Sequence, residues 1–288
     1  MGSPEQTFRD ISDTAIWAGI YRARETERPG GLFRDPFARR LIGRRGDQIA
    51  AAMKSHDRHE WAWVLRTVLF DRFIGEQLAR GVDMVVNLAA GLDARPYRMP
   101  LSPALQWVEV DLPGILDYKE EILRGEKPAC ALERVRLDLA DGSARRQLFG
   151  QLASRAKKAL VITEGLLIYL TDAEAGLLAE DLAAPASFQQ WVLDVASPGL
   201  MRMLQKEVGA DLDSAGATLK FAPAEGPAFF TRHGWNVVEV RTPFREAARV
   251  KRLPFPLWLF AILPDSSKPA GQRPWSGVCL LEKNQRSA

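Results

Sequence analysis

Two periodicities of apolar residues divide this chain. In the first 80 residues the apolar positions recur at three and four. Trp61, Val64, Leu65, Val68, Leu69, Phe73, Ile74 and Leu78 mark one face of a long helix over 57–80. Ile16, Trp17, Ile20 and Tyr21 mark another, which Ser12-Asp13-Thr14 can cap and Pro29-Gly30-Gly31 ends near Glu27. Asp35-Pro36 predicts a short helix through Phe37, Leu41 and Ile42 that Gly43 and Gly46 terminate. Beyond Gly81 the pattern changes. Compact apolar runs at 84–88, 106–111, 133–139, 159–163, 188–195, 235–241 and 276–282 predict seven strands. Helical stretches at 113–124, 143–154, 171–183, 198–208 and 223–233 separate most of them. The third begins at a Thr171-x-x-Glu174 capping box, the others at prolines or serines. Strands alternating with helices predict an α/β fold, a mostly parallel sheet with helices on both faces. Residues 1–80 read as a helical N-terminal cap belonging to the same domain, and residues 81–288 as the sheet domain.

Composition narrows the functional classes. The 288 residues are 47% hydrophobic and 26% charged, ordinary for a soluble globular chain with a substantial core. Net charge is +3, with 39 basic residues interspersed among 36 acidic ones, and no Lys/Arg-rich run points to nucleic acid. Cys130 and Cys279 lie far apart in apolar runs and read as buried free thiols. Three histidines make a metal site improbable, so none is expected. The N-terminus carries no apolar signal region, and the apolar segment 253–263 is too short and too proline-broken for a membrane span of about 20 residues. That segment reads as core, as a contact patch between copies, or as a lid over an apolar substrate. The expectation is a cytoplasmic protein, monomer or homodimer, acting on a small molecule, with no nucleic-acid or membrane partner.

The candidate chemistry centres on Met84-Val-Val-Asn-Leu-Ala-Ala-Gly-Leu-Asp-Ala-Arg95. An apolar strand breaks there at a small-residue turn, where Gly91 permits close approach of backbone to a ligand. Asp111 ends the next strand 20 residues later, the arrangement that serves a ribose in Rossmann-like folds. A dinucleotide site would place three glycines in this turn to seat a pyrophosphate on a helix N-terminus. Their absence argues against NAD(P), whose oxidoreductase chemistry is the alternative, and for S-adenosylmethionine, which has no phosphate. Glu164, an acid inside an apolar run, requires a partner if buried. His233, beside Gly234, reads as a helix C-terminal cation.

The motifs also carry a family resemblance. Ser12-Asp-Thr-Ala15, Tyr21-Arg-Ala-Arg-Glu25, Leu32-Phe-Arg-Asp-Pro-Phe-Ala38, Arg66-Thr67 with Asp71, Asn87 to Arg98, Glu109-Val-Asp-Leu-Pro113, Asp138-Leu139 and Thr163-Glu-Gly-Leu-Leu-Ile-Tyr-Leu170 run in order over 12–172. In that order the chain resembles the leucine carboxyl methyltransferase family of class I S-adenosylmethionine-dependent enzymes, in particular bacterial members similar to tetracenomycin-type polyketide O-methyltransferases. The resemblance implies a Rossmann-like fold. It implies that Arg22, less securely Arg24, and Arg66 reach the methionyl carboxylate, and that Ala89 and Gly91 form the close-approach turn. Asp111, with Leu112, would bind the ribose, and Asp138 and Leu139 would flank the adenine. Glu164 would sit at the boundary between cofactor and acceptor, with Tyr169 as a second catalytic candidate beside its core reading. Ala89 departs from the usual glycine. The bland readings are that Asp111 caps a helix and that Asp138 forms an Asx-turn. A carboxylate acceptor needs no base, whereas a phenol does; no His–Asp pair appears, which leans toward a carboxylate. A protein C-terminal carboxylate and a binding protein without chemistry are further alternatives.

Overall fold

The computed structural model describes residues 12–52, 59–255, 257–262 and 273–284. Three helices come first, α1 (Ser12–Glu27), α2 (Ala38–Ala52) and α3 (Glu60–Ala79). The alternating part follows: β1 (Met84–Leu88), α4 (Arg95–Arg98), β2 (Gln106–Asp111), α5 (Pro113–Ile122), β3 (Ala131–Arg136), α6 (Gly142–Ala153), β4 (Ala159–Thr163), α7 (Asp172–Ala183) and β5 (Phe188–Ala196). Then come α8 (Pro198–Ser214), β6 (Trp235–Arg241), α9 (Pro243–Arg249) and β7 (Ser276–Lys283).

The seven strands form one sheet in the order β3-β2-β1-β4-β5-β7-β6. The first five run parallel, and β7 inserts antiparallel between β5 and β6. Alternation assigns the two faces. Val85, Trp107, Leu160, Ile162 and Val192 pack on one side against Leu69, Phe70, Phe73 and Ile74 of α3. Val86, Val108, Val161 and Trp191 pack on the other against Phe149 and Leu152 of α6 and Leu178 and Leu182 of α7. β1 and β4 are buried at every position, which is why, Asn87 and Thr163 apart, they read as apolar runs. A third cluster joins α1, α2 and the N-terminal half of α3 to Ile115 of α5 and Met201, Val208 and Leu212 of α8.

Several expectations need correction. Gly43, at φ 51° and ψ −160°, does end the first helical segment, but a second follows at once to Ala52, so α2 is two helices joined at a kink. Gly46 is instead a packing site, since a Cβ there would lie 2.6 Å from the Ile42 Cβ. α8 runs six residues past Val208 to Ser214. The 223–233 segment starts at Gly226 and winds as a 3-10 helix. α4 and α9 have no counterpart in the pattern. The apolar segment holds a 3-10 turn, Leu257–Ile262, with Phe255, Trp258 and Leu259 exposed, so these three are not core; residues 256 and 263 lie outside the described residues. Cys130 and Cys279 are buried and free. Among the described residues no helix is long and apolar enough to cross a membrane.

Candidate functional site

A cavity of about 1010 Å³ opens where the parallel strands end at their C-termini. This is the position at which open α/β sheets bind ligands. The turn after β1 forms one wall. Ala89 takes φ 52° and Gly91 φ 47°, so two residues in three are left-handed. For an alanine that conformation costs about 1–2 kcal/mol, which the surrounding structure offsets. Ala89→Gly should therefore raise stability by about 0.5 kcal/mol, strain relief less the entropy gained by the unfolded chain; an unchanged or lowered denaturant midpoint would contradict this. At Gly91 a Cβ would stand 3.1 Å from the Ala15 Cβ of α1. The turn is tied down from three sides. Gly91 N–H donates to Asp111 Oδ2 at 2.6 Å, Arg22 Nη2 donates to Leu92 O at 2.9 Å, and Asn87 Nδ2 donates to Asp93 Oδ2 at 2.9 Å.

Asp111 ends β2, and its Oδ1 also accepts from Leu112 N–H at 2.8 Å. Burial pushes its carboxyl above the usual range, against the two backbone donors. Asp111 lines the cavity, and each oxygen, accepting one N–H, has a further lone pair to which a ribose hydroxyl could donate. Leu112 precedes α5 as its N-cap residue and is partly exposed. Asp138 is exposed at the cavity rim beside Leu139, and its Oδ1 accepts from Ala140 N–H at 2.9 Å, an Asx-turn. The cap of α6 is Asp141, which accepts from Ser143 and Ala144. Arg24 lies 3.8 Å from Glu60, away from the turn.

After β4 the chain turns through Gly165 at φ 70°, and the Arg66 guanidinium occupies the space a Cβ there would need, 3.3 Å away. Arg66 lies over the Trp63 ring. Its Nε donates to Glu164 Oε1 at 3.2 Å and its Nη1 to Asp194 Oδ2 at 3.3 Å. Glu164 thus has the partner that its burial demands, and a second one: Arg95 Nη1 lies 2.8 Å from Oε2. Arg95 also binds Asp93 at 2.8 Å and Asp71 at 2.6 Å, and Arg98 binds Asp71 at 2.7 Å. Burial opposes ionisation of Asp93, but Arg95, Lys119, Arg98 and Arg22 outweigh it and hold the carboxyl well below the usual range. Tyr169 sits in the cavity wall with its hydroxyl bonded to Thr14, and burial pushes its phenol up. His233 is elsewhere: its Nδ1 lies 2.9 Å from Glu180 Oε1, at the end of its 3-10 helix. The structure thus gathers Arg22, Arg66, Ala89, Gly91, Asp111, Glu164 and Tyr169 around one cavity.

Sequence reasoning missed Asp194 and did not assign Arg95. Asp194 is the one acid in the strand run 188–196, a signal of the kind that singled out Glu164.

The strand order, the antiparallel seventh strand and the cavity at the parallel strand ends define a Rossmann-like methyltransferase. The chain belongs to the leucine carboxyl methyltransferase family, whose model matches residues 15–183. A protein of Mycobacteroides abscessus is 32% identical over 251 residues, covering 79% of this chain and 83% of its own. One of Streptomyces avermitilis is 32% identical over 239 residues, covering 77% and 82%. Both carry the name "Putative S-adenosyl-L-methionine-dependent methyltransferase". A solved DUF574 family protein from Streptomyces avermitilis shares the fold with a TM-score of 0.61 at 13% identity, over 93% of this chain and 97% of that one.

Proposed function

We propose that this methyltransferase moves the methyl group of S-adenosylmethionine to an oxygen of a small, largely apolar acceptor held in the cavity. One observation supports this reading above the others. One cavity is lined by the left-handed turn and Asp111, by the Arg66–Glu164 pair, and by apolar side chains such as Trp17, Trp61, Leu204 and Phe244.

The residues suit the cofactor. The bare Gly91 backbone admits a ligand that a side chain would exclude, and Asp111 offers acceptors to a ribose diol. Arg22 and Arg66 are the cavity cations expected at a methionyl carboxylate; each also pairs with acids of the chain, Arg22 Nε lying 3.4 Å from Asp35 Oδ2, so the carboxylate would share them. Leu112, Leu139 and Asp138 border the adenine end. The turn lacks the glycines of a dinucleotide site, so an NAD(P) reading has no support here.

When bound, the cofactor supplies a methyl group on a positively charged sulfur, open to in-line displacement. The chain's contribution is alignment and exclusion of water. Glu164, fixed by Arg66 and Arg95, cannot swing freely, so it orients whatever binds against it. Tyr169 keeps its proton, lines the same space and is held there by the hydrogen bond between its hydroxyl and Thr14.

Asp111→Ala removes the ribose acceptor and leaves the Gly91 and Leu112 N–H groups without their carboxylate. We expect at least a tenfold loss of S-adenosylhomocysteine affinity in calorimetry. Unchanged affinity would take Asp111 out of the site.

A further inference from the structure

Building on the methyltransferase reading, we infer that Asp194 is the proton acceptor of the reaction, and that the nucleophile is a weakly acidic hydroxyl, a phenol or enol on an apolar scaffold, rather than a carboxylate.

Six carboxylates line the cavity: Asp93, Asp111, Asp138, Glu164, Glu174 and Asp194. Five are committed or remote. Asp93 is held by Arg95 and Asn87, and Glu164 by Arg66 and Arg95. Asp138 gives only its Oδ1 to an Asx-turn, but it follows β3, four strands from β5 and about 19 Å across the sheet, and Glu174 completes the capping box of α7 with Thr171. Asp111 takes two backbone N–H groups and ends β2, three strands from β5, about 14 Å across the sheet at the usual strand spacing. Asp194 differs. Its Oδ1 accepts from Gly165 N–H at 2.7 Å, its Oδ2 meets Arg66 at a longer 3.3 Å, and its side chain lines the cavity and is 21% exposed.

The groups facing Asp194 come from four elements. Arg66 approaches from α3, Glu164 and the Gly165 N–H from the turn after β4, Tyr169 from the 3-10 turn Leu167–Tyr169, and Cys279 from β7. Burial pushes the Asp194 carboxyl up; Arg66 and the Gly165 donor oppose it, and Glu164 adds to it. The Cys279 thiol and Tyr169 phenol are pushed up too, so both stay neutral near pH 7 and compete for no proton. Asp194 is therefore the group in this wall suited to accept one.

The charges also select the nucleophile. Each arginine lining the described cavity already lies within 4 Å of a carboxylate: Arg22 of Asp35, Arg66 of Glu164 and Asp194, Arg145 and Arg146 of Asp181. His59 lies 3.8 Å from Glu207. An acceptor carboxylate would enter facing Asp194 and Glu164 with no protein cation left to receive it, so the cofactor's sulfonium would be its one positive neighbour and most of its desolvation would go uncompensated. A neutral hydroxyl carries no such cost. The wall beyond is Trp17, Trp61, Met203, Leu204, Leu219 and Phe244, which suits an apolar ring system.

The step balances. The hydroxyl oxygen forms the new bond to the methyl carbon, and the carbon–sulfur bond breaks with its electron pair left on sulfur. The proton passes to Asp194 Oδ2. The products are a methyl ether, the neutral thioether S-adenosylhomocysteine and a protonated Asp194, so the positive charge on sulfur and the negative charge on Asp194 are lost together.

The test uses the full chain saturated with S-adenosylhomocysteine and two matched probes, 2-naphthol and 2-naphthoate, titrated by calorimetry at pH 7.5. We expect naphthol to bind at least tenfold tighter, and Asp194→Asn to tighten naphthoate at least fivefold. With S-adenosylmethionine, naphthol turnover should fall about 10²–10⁴-fold in Asp194→Asn. The wild-type rate should fall at acid pH through a limb above the ordinary aspartate range, a limb Asp194→Glu keeps and Asp194→Asn lacks. Naphthoate binding as tightly as naphthol in the wild type, binding of neither, or methyl naphthoate as the faster product would each overturn the inference. The wild-type comparison needs no variant to fold. Failure to bind S-adenosylhomocysteine would instead count against the methyltransferase reading itself.

Discussion

Gly91→Val should abolish cofactor binding, weakening S-adenosylhomocysteine at least a hundredfold, while the sheet stays folded. Two costs coincide at this position. The residue holds φ 47°, which a β-branched side chain tolerates poorly. Its Cβ would also stand 3.1 Å from the Ala15 Cβ, before the two methyl groups of valine are added. α1 or the turn must then move. If the turn moves, the Gly91 N–H leaves Asp111 Oδ2, and the ribose acceptor loses the donor that orients it. β1 is paired upstream with β2 over 84–88 and with β4 over 84–87, so far-UV circular dichroism should be preserved. Gly91→Ala, with the same φ penalty and one methyl, should lose less. Retained affinity in the valine variant would mean that the cofactor does not approach this backbone.

Burial on both faces made the central strands legible. β1 and β4 admit no polar alternation, so their ends could be placed closely from the sequence. Glycine readings were less secure, because one residue type serves several ends. Gly91 and Gly43 both take positive φ, yet the first opens a site and the second only kinks α2, and what distinguishes them is the neighbouring element. α4 and α9, at four and seven residues, are too short to show a helical period. In the site, Glu164 and Asp111 stood out because each is an acid at the end of an apolar run. Asp194 carried the same signal but lay in a longer strand outside the quoted motifs. Its partner Arg66 is 128 residues away, a separation no local pattern can bridge. Arg95 lay inside a recognised motif, but its three acids come from α3, the β1 turn and the β4 turn and meet only in the fold.

That meeting point carries the second large effect. Arg95→Ala should destabilise the protein by about 3–5 kcal/mol, the range for removing one partner of a buried ion pair. Against the usual total of about 5–15 kcal/mol this is a large share. Arg95 is 2% exposed and binds Asp71, Asp93 and Glu164 together, so its removal strands negative charge rather than opening a cavity alone. Arg98 and Arg66 remain, but each reaches only one of the three acids. The pH dependence separates this account from simple loss of packing. In the native protein Asp71 and Asp93 sit below their ordinary values: burial opposes this, and the arginines more than compensate. They contribute stability above the unfolded pKa, near 3.9, which is lost as pH falls through the lower folded values. Without Arg95 those values rise, and the variant relieves its charge by binding protons in the folded state. The stability gap between wild type and Arg95→Ala should therefore narrow as pH falls from 7 to 5, measured by denaturant unfolding at each pH. Arg95→Lys, which keeps the charge but loses the fork, should lie between them. A gap constant with pH would assign Arg95 to packing over Phe70, whose ring lies 5.7 Å from the guanidinium carbon, and would remove the electrostatic support inferred for Glu164.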